Sequence, residues 1–148
     1  MARIVVYGYG NTLRGDDGLG PEAVSRLEKR LTERHIEFRT AHQLLPEDAE
    51  FLSTAEQVFF IDAREGEVPG QIQYEEIKPE SDAINQSNLH ALTPAGILQL
   101  AGQCFGHTPR TYLYTVTGAD FGYKQELSTV VQHTLPELID RITARLEQ

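Results

Sequence analysis

Apolar positions along this chain change their period several times, and each change marks an element. Ile4-Val5-Val6-Tyr7 is a short β-branched run that ends in Gly8, the pattern of a buried strand followed by a turn. From Gly20 the spacing becomes helical. Ala23, Val24, Leu27 and Leu31 recur on one side, Glu22, Arg26, Lys29 and Arg30 lie mostly on the other, and Pro21 suits the first turn. Ile36 to Thr40 alternates as a second strand, and Pro46-Glu47-Asp48 opens a short helix that buries Ala49 and Leu52. Val58-Phe59-Phe60-Ile61 is continuously apolar, which marks a strand covered on both faces and ending at Asp62. Val68-Pro69-Gly70 reads as a turn, and Gln71 to Ile77 alternates as an antiparallel or edge strand. Thr93-Pro94 supplies the N-cap and first position of a helix carrying Ile97, Leu98 and Ala101. Thr111 to Val116 is another strand. Ser128 caps a final helix with Val131, Leu135, Leu138, Ile139, Ile142 and Leu146 on one face, and Pro136 is expected to bend it.

Strands alternate with helices throughout, with no linker, repeat or low-complexity segment. The pattern predicts an α/β fold as a single three-layer domain over residues 1–148. A mostly parallel twisted sheet carries helices on both faces and includes one antiparallel strand. Sites in such sheets form beyond the carboxyl ends of the strands. The connection from Gly8 to Gly20 and the residue Asp62 are therefore expected on the same rim.

Composition narrows the function classes. At 148 residues the chain is long enough to bury a core, and its formal net charge of -9 argues against non-specific binding to nucleic acid or anionic lipid. Simple solubility accounts for most of that charge. The single cysteine, Cys104, cannot form an internal disulfide, which suits a reducing compartment. The first apolar run is too short for a signal peptide, and no run approaches the roughly 20 residues of a membrane span. A cytoplasmic protein is expected.

The connection Gly8-Tyr9-Gly10-Asn11-Thr12-Leu13-Arg14-Gly15-Asp16-Asp17-Gly18-Leu19-Gly20 begins like a nucleotide-binding loop. Leu13 stands where the third glycine of the dinucleotide fingerprint belongs, and no Walker lysine follows. Asp16 and Asp17 occupy the zone where a pyrophosphate would sit and would repel it. A rim of carboxylates instead suits a metal. Asp17 and Asp62 are hard oxygen ligands, and His90 in a polar stretch before a helix adds an imidazole, a set compatible with a divalent first-row metal. Bland alternatives stand beside this one. Asp16 and Asp17 also fit turn and N-cap positions, Asp62 fits a cap on the following turn, and His90 fits an ordinary surface residue. His35, His107 and His133 carry no comparable pattern, whereas His42 follows the second strand and approaches the same rim. Cys104 has no basic neighbour to activate it. Neither G-x-S-x-G nor H-E-x-x-H occurs.

The Gly8 to Gly20 stretch resembles the opening signature of the hydrogenase maturation proteases. The resemblance continues, in order, in Gln43-Leu44-Leu45-Pro46-Glu47, in Ile61-Asp62-Ala63 with Pro69-Gly70, in Ser87 to Leu98 around His90, and in Leu127-Ser128. It covers nearly the whole chain. The family's metal-contacting residues match Asp17, Asp62 and His90, with aspartate in place of glutamate at the first position. The segment Asn88-Leu89-His90-Ala91-Leu92 is a less typical version of its motif. The resemblance implies an endopeptidase that removes a C-terminal peptide from the precursor of a nickel-iron hydrogenase large subunit after nickel insertion. Asp17, Asp62 and His90 would be its catalytic and metal-contacting residues, and the nickel would be carried by the substrate. The implied partner is that precursor, and a monomer is expected. Asp16 would serve as a base or, more in keeping with its place, orient the loop. Two other readings stay open, a non-enzymatic nickel-checking module or chaperone for the same partner and a nucleotide-binding Rossmann-like enzyme.

Overall fold

The computed structural model describes residues 3–79 and 92–147. β1 (Ile4–Tyr9) leads through a 3-10 turn (Gly15–Gly18) into α1 (Leu19–Arg30) and β2 (Ile36–Ala41). α2 (Asp48–Ser53), β3 (Gln57–Arg64) and β4 (Ile72–Ile77) follow, then α3 (Pro94–Phe105), β5 (Arg110–Thr117) and α4 (Thr129–Leu146). The strands form one sheet in the order β2-β1-β3-β5-β4. All pairs are parallel except β4 with β5, so the alternating Gln71 to Ile77 stretch is the antiparallel edge its pattern predicts.

Alternation along the strands builds two cores. Ile4 and Val6 of β1, with Phe59 and Ile61 of β3, face α1 and α4 and join Leu27, Leu135, Leu138 and Ile142. Val5, Tyr7, Val58 and Phe60 face the other way and meet Leu52 of α2 and Ile97 and Ala101 of α3. The central strands are thus apolar on both faces because helices cover both, and the three-layer α/β arrangement follows. Among the described residues no helix is long and apolar enough to cross a membrane.

One local expectation changes. β3 does not stop at Asp62. It runs two residues further, with Asp62 opposite Thr115 and Arg64 opposite Thr117 of β5. Backbone pairing with β5 along its whole length carries the strand past its first polar side chain. α4 continues through Pro136 as one element. Proline removes the amide that would bond to the Gln132 carbonyl, but both residues lie on the exposed side, where solvent can reach that carbonyl.

α1 sits unusually close to the sheet. A β-carbon on Gly20 would lie 2.5 Å from the Ile61 carbonyl oxygen and 2.8 Å from the Tyr9 amide nitrogen, and one on Gly8 would collide with the Gly20 carbonyl. This pair of glycines lets the start of α1 rest directly on the ends of β1 and β3. Gly20→Ala is expected to destabilise the fold by about 1–3 kcal/mol, since the obstructing atoms are backbone and cannot rotate away. Urea unfolding of the two proteins at one pH measures this.

Candidate active site

From β1 the chain crosses to β2 on one side, and β3 then lies on the other side of β1. The connections diverge at the carboxyl ends of β1 and β3, which is where open α/β sheets form their crevices. The first loop leaves β1 at this point, and Asp62 lies near the end of β3. The strand-end argument therefore places Asp17 and Asp62 correctly on one rim.

The two adjacent aspartates have opposite surroundings. Asp16 is fully buried. Its Oδ2 accepts hydrogen bonds from the Ala119 amide at 2.7 Å, the Asp120 amide at 3.0 Å and the Ser128 hydroxyl at 2.8 Å. Its Oδ1 accepts from the Ser128 amide at 2.7 Å. Ser128 in turn caps α4, its hydroxyl accepting from the Val131 amide at 3.4 Å. A carboxylate at a helix N-terminus also meets the positive end of the helix dipole. Asp16 is thus the residue that orients the loop, and both its oxygens are engaged in doing so. Backbone bonds from Asp16 to Asp120, Gly15 to Lys124 and Lys124 to Leu13 extend the same seam. Gly118 is required beneath it, because a β-carbon there would lie 2.9 Å from that of Asp16.

Asp17 turns outward into a half-buried position. Its Oδ2 accepts the Asn11 amide at 2.7 Å. Gly10, at φ 150°, makes this fold-back possible, since a β-carbon there would strike the Asp17 carbonyl. This amide of the glycine loop points at a carboxylate of its own chain. The loop presents an anion to the crevice where a phosphate-binding loop would present N–H groups.

Asp62 is half-buried, and its Oδ1 accepts the Ala63 amide at 2.8 Å. Burial pushes its carboxyl up to about 7, opposed by the Ala63 hydrogen bond and reinforced by the negative charge of Asp17. The Tyr9 hydroxyl beside it favours the charged form, while the buried Tyr9 phenol is itself pushed well above its ordinary value, chiefly by burial. Two carboxylates in mutual repulsion, with half-open access, form a pair suited to a cation.

A cavity of about 230 Å³ opens beside them, lined by Arg14, Asp17, Ala63, Arg64, Glu65 and Phe121. A second, of about 240 Å³, lies across the first loop and is lined by Gly10, Thr12, Pro21, Thr40, Ala41 and His42, so His42 does reach the rim. His90 lies outside the described residues. Among those described, no three His, Cys, Asp or Glu side chains gather as a metal-binding group. His107 bonds through Nε2 to the Ala55 carbonyl at 2.9 Å, His133 is on exposed α4 surface, and Cys104 is exposed. Sequence reasoning passed over Tyr9, Arg14 and Arg64. The β1–β3 register, which sets Gly8 opposite Ile61, is the signal that would have put Tyr9 beside Asp62.

No family model matches the chain, and no curated protein resembles it closely enough to count as a relative. Solved structures do match. The hydrogenase maturating endopeptidase HybD from E. coli is 21% identical, with a TM-score of 0.82 over 98% of this chain and 92% of that one. A hydrogenase 2 maturation peptidase from Thaumarchaeota archaeon SCGC_AB-539-E09 is 24% identical, with a TM-score of 0.73 over 97% of each chain. The [NiFe] hydrogenase maturation protease HycI from Thermococcus kodakarensis KOD1 is 19% identical, with a TM-score of 0.78 over 99% and 94%.

The chain has the fold of the hydrogenase maturation endopeptidases. The likeness spans nearly all of each protein, so the sheet and both helix layers belong to a shared architecture.

Two consequences of the site are measurable. Asp16→Asn keeps the size of the side chain but sets an NH₂ group against donors. It is expected to cost about 3 kcal/mol and to speed amide exchange at Ala119, Asp120 and Ser128. For Asp62, the folded-state value of about 7 lies above the ordinary 3.8. Between these values the folded protein keeps a proton that the unfolded chain has released. Stability is therefore fully present below about pH 4 and falls as pH rises to about 7, by at most about 1.4 kcal/mol per unit. Asp62→Asn is expected to remove that decline, and Asp17→Asn to lower the Asp62 value. Denaturant unfolding across this range and carboxyl carbon NMR titration measure the two effects.

Proposed function

We propose that this protein is an endopeptidase that removes a C-terminal peptide from the precursor of a nickel-iron hydrogenase large subunit after nickel insertion. The observation that carries the proposal is the convergence of Asp17 and Asp62 on one crevice, in a fold shared with hydrogenase maturation endopeptidases. Asp17 and Asp62, with His90, contact the nickel that the precursor carries, and that contact reports that loading is complete. Hard carboxylate oxygens and one imidazole suit a divalent first-row ion with open positions. Substrate nickel would polarise the scissile carbonyl or activate a water. The residues of this chain do the remaining work. Asp62, with its raised carboxyl, gives up a proton readily near neutral pH as a cation approaches. Asp16 holds the first loop so that Asp17 faces the crevice.

The test mixes purified protein with nickel-loaded and nickel-free precursor and follows the precursor's mass. Shortening of the loaded form alone is expected. Asp17→Asn and His90→Ala are each expected to lower kcat/KM by at least about a hundredfold. Processing that survives both substitutions rejects the metal-contact model. Binding of a loaded precursor, without cleavage, that the native maturation machinery can process would make the protein a nickel-checking module instead.

A further inference from the structure

Arg14 and Arg64 are 50 positions apart in the chain but line the same cavity as Asp17. Arg14 is anchored at one edge. Its Nε donates to the Phe121 carbonyl at 3.3 Å, and its guanidinium carbon lies 5.4 Å from the centre of the Tyr123 ring. Tyr123 itself is 88% exposed, held on the loop that Asp16 and Gly15 tie down. Arg64 projects from the last position of β3, where its carbonyl accepts the Gly118 amide at 2.9 Å. Seven ion pairs occur among the described residues, and neither arginine takes part in any of them. Seven of the 13 basic side chains pair with an acid among the described residues, and of the six that do not, Arg14 and Arg64 line one cavity together.

The other charges of the cavity do not answer them. One oxygen of Asp17 is engaged by the Asn11 amide, and Glu65 is exposed to solvent. A guanidinium fixed through Nε keeps its two terminal nitrogens free as a fork of donors, the geometry that receives a carboxylate in bidentate fashion. We infer that Arg14 and Arg64 form a clamp for a carboxylate of the substrate polypeptide, seated in the cavity beside Asp17. The clamp rests on the peptidase reading for its role, since it positions the polypeptide next to the carboxylate pair. Its occupant is defined by chemistry alone, either an acidic side chain or a free C-terminal carboxylate.

The experiment reads binding directly and needs no cleavage. The arginine side-chain Nε–H signals of the full-length protein are followed by NMR while three tripeptides are added. Acetyl-Ala-Glu-Ala-amide offers a side-chain carboxylate, acetyl-Ala-Gln-Ala a terminal one, and acetyl-Ala-Gln-Ala-amide offers none. Saturable shifts of both Arg14 and Arg64 with a carboxylate peptide, and none with the amide, are expected. The peptide that binds more tightly identifies the source. Arg14→Gln or Arg64→Gln should weaken that binding roughly tenfold, and Arg14→Lys should restore only part of it. Shifts that are linear with peptide, or equal for all three, overturn the clamp. Because the cleavage assay is separate, a working clamp without cleavage counts against the peptidase reading alone. Cleavage with a silent clamp counts against the clamp alone.

Discussion

One buried carboxylate holds this site together. Asp16 accepts four hydrogen bonds from a loop more than a hundred residues away in sequence, and one of its donors is the cap of the last helix. A buried ion survives only when its lone pairs are satisfied. Here the satisfaction comes entirely from the segment between β5 and α4. The two segments must be ordered together, because the charge on one is the reason for the conformation of the other. The outward-turned Asp17, the cavity with its two arginines and the seam between the loops all hang from that bond set.

Much of this was legible in advance, and the reasons for success and failure are physical. Strands buried on both faces announced themselves as unbroken apolar runs, as at Val58 to Ile61. Helices with one solvent face showed their period, and Thr93 and Ser128 marked their starts through side chains that do accept the capping amides. The misplaced end of β3 arose because side-chain polarity was read as a stop. Hydrogen bonding to β5 decides where that strand ends, and it continues to Arg64.

At the site, types of residue were readable and their orientations were not. Asp16 and Asp17 are identical in chemistry, and only the 3-10 turn separates a buried anchor from a carboxylate that lines the crevice. Nothing local marks which is which; the deciding partners are Ala119, Asp120 and Ser128. Asp62 was found from its place after an apolar run, yet its altered acidity depends on Asp17 and Tyr9, which the sheet register brings near. Arg14 and Arg64 escaped notice for the same reason. Each looks like an ordinary surface cation until the fold sets both on one cavity.

The seam also constrains how such a protein can diverge. Because Asp16 faces inward and Asp17 outward on consecutive positions, inserting or deleting one residue between Gly10 and Gly15 would undo this division of roles. A deletion would sink the outward carboxylate, and an insertion would set Gly15 in place of the anchor of α4. The length of this loop is therefore frozen by electrostatics. The connection at 65–69, whose residues are exposed, carries no comparable bond to an ion among the described residues. Adaptation to differently shaped partners has room there, at the mouth of the same cavity, without disturbing the machinery behind it.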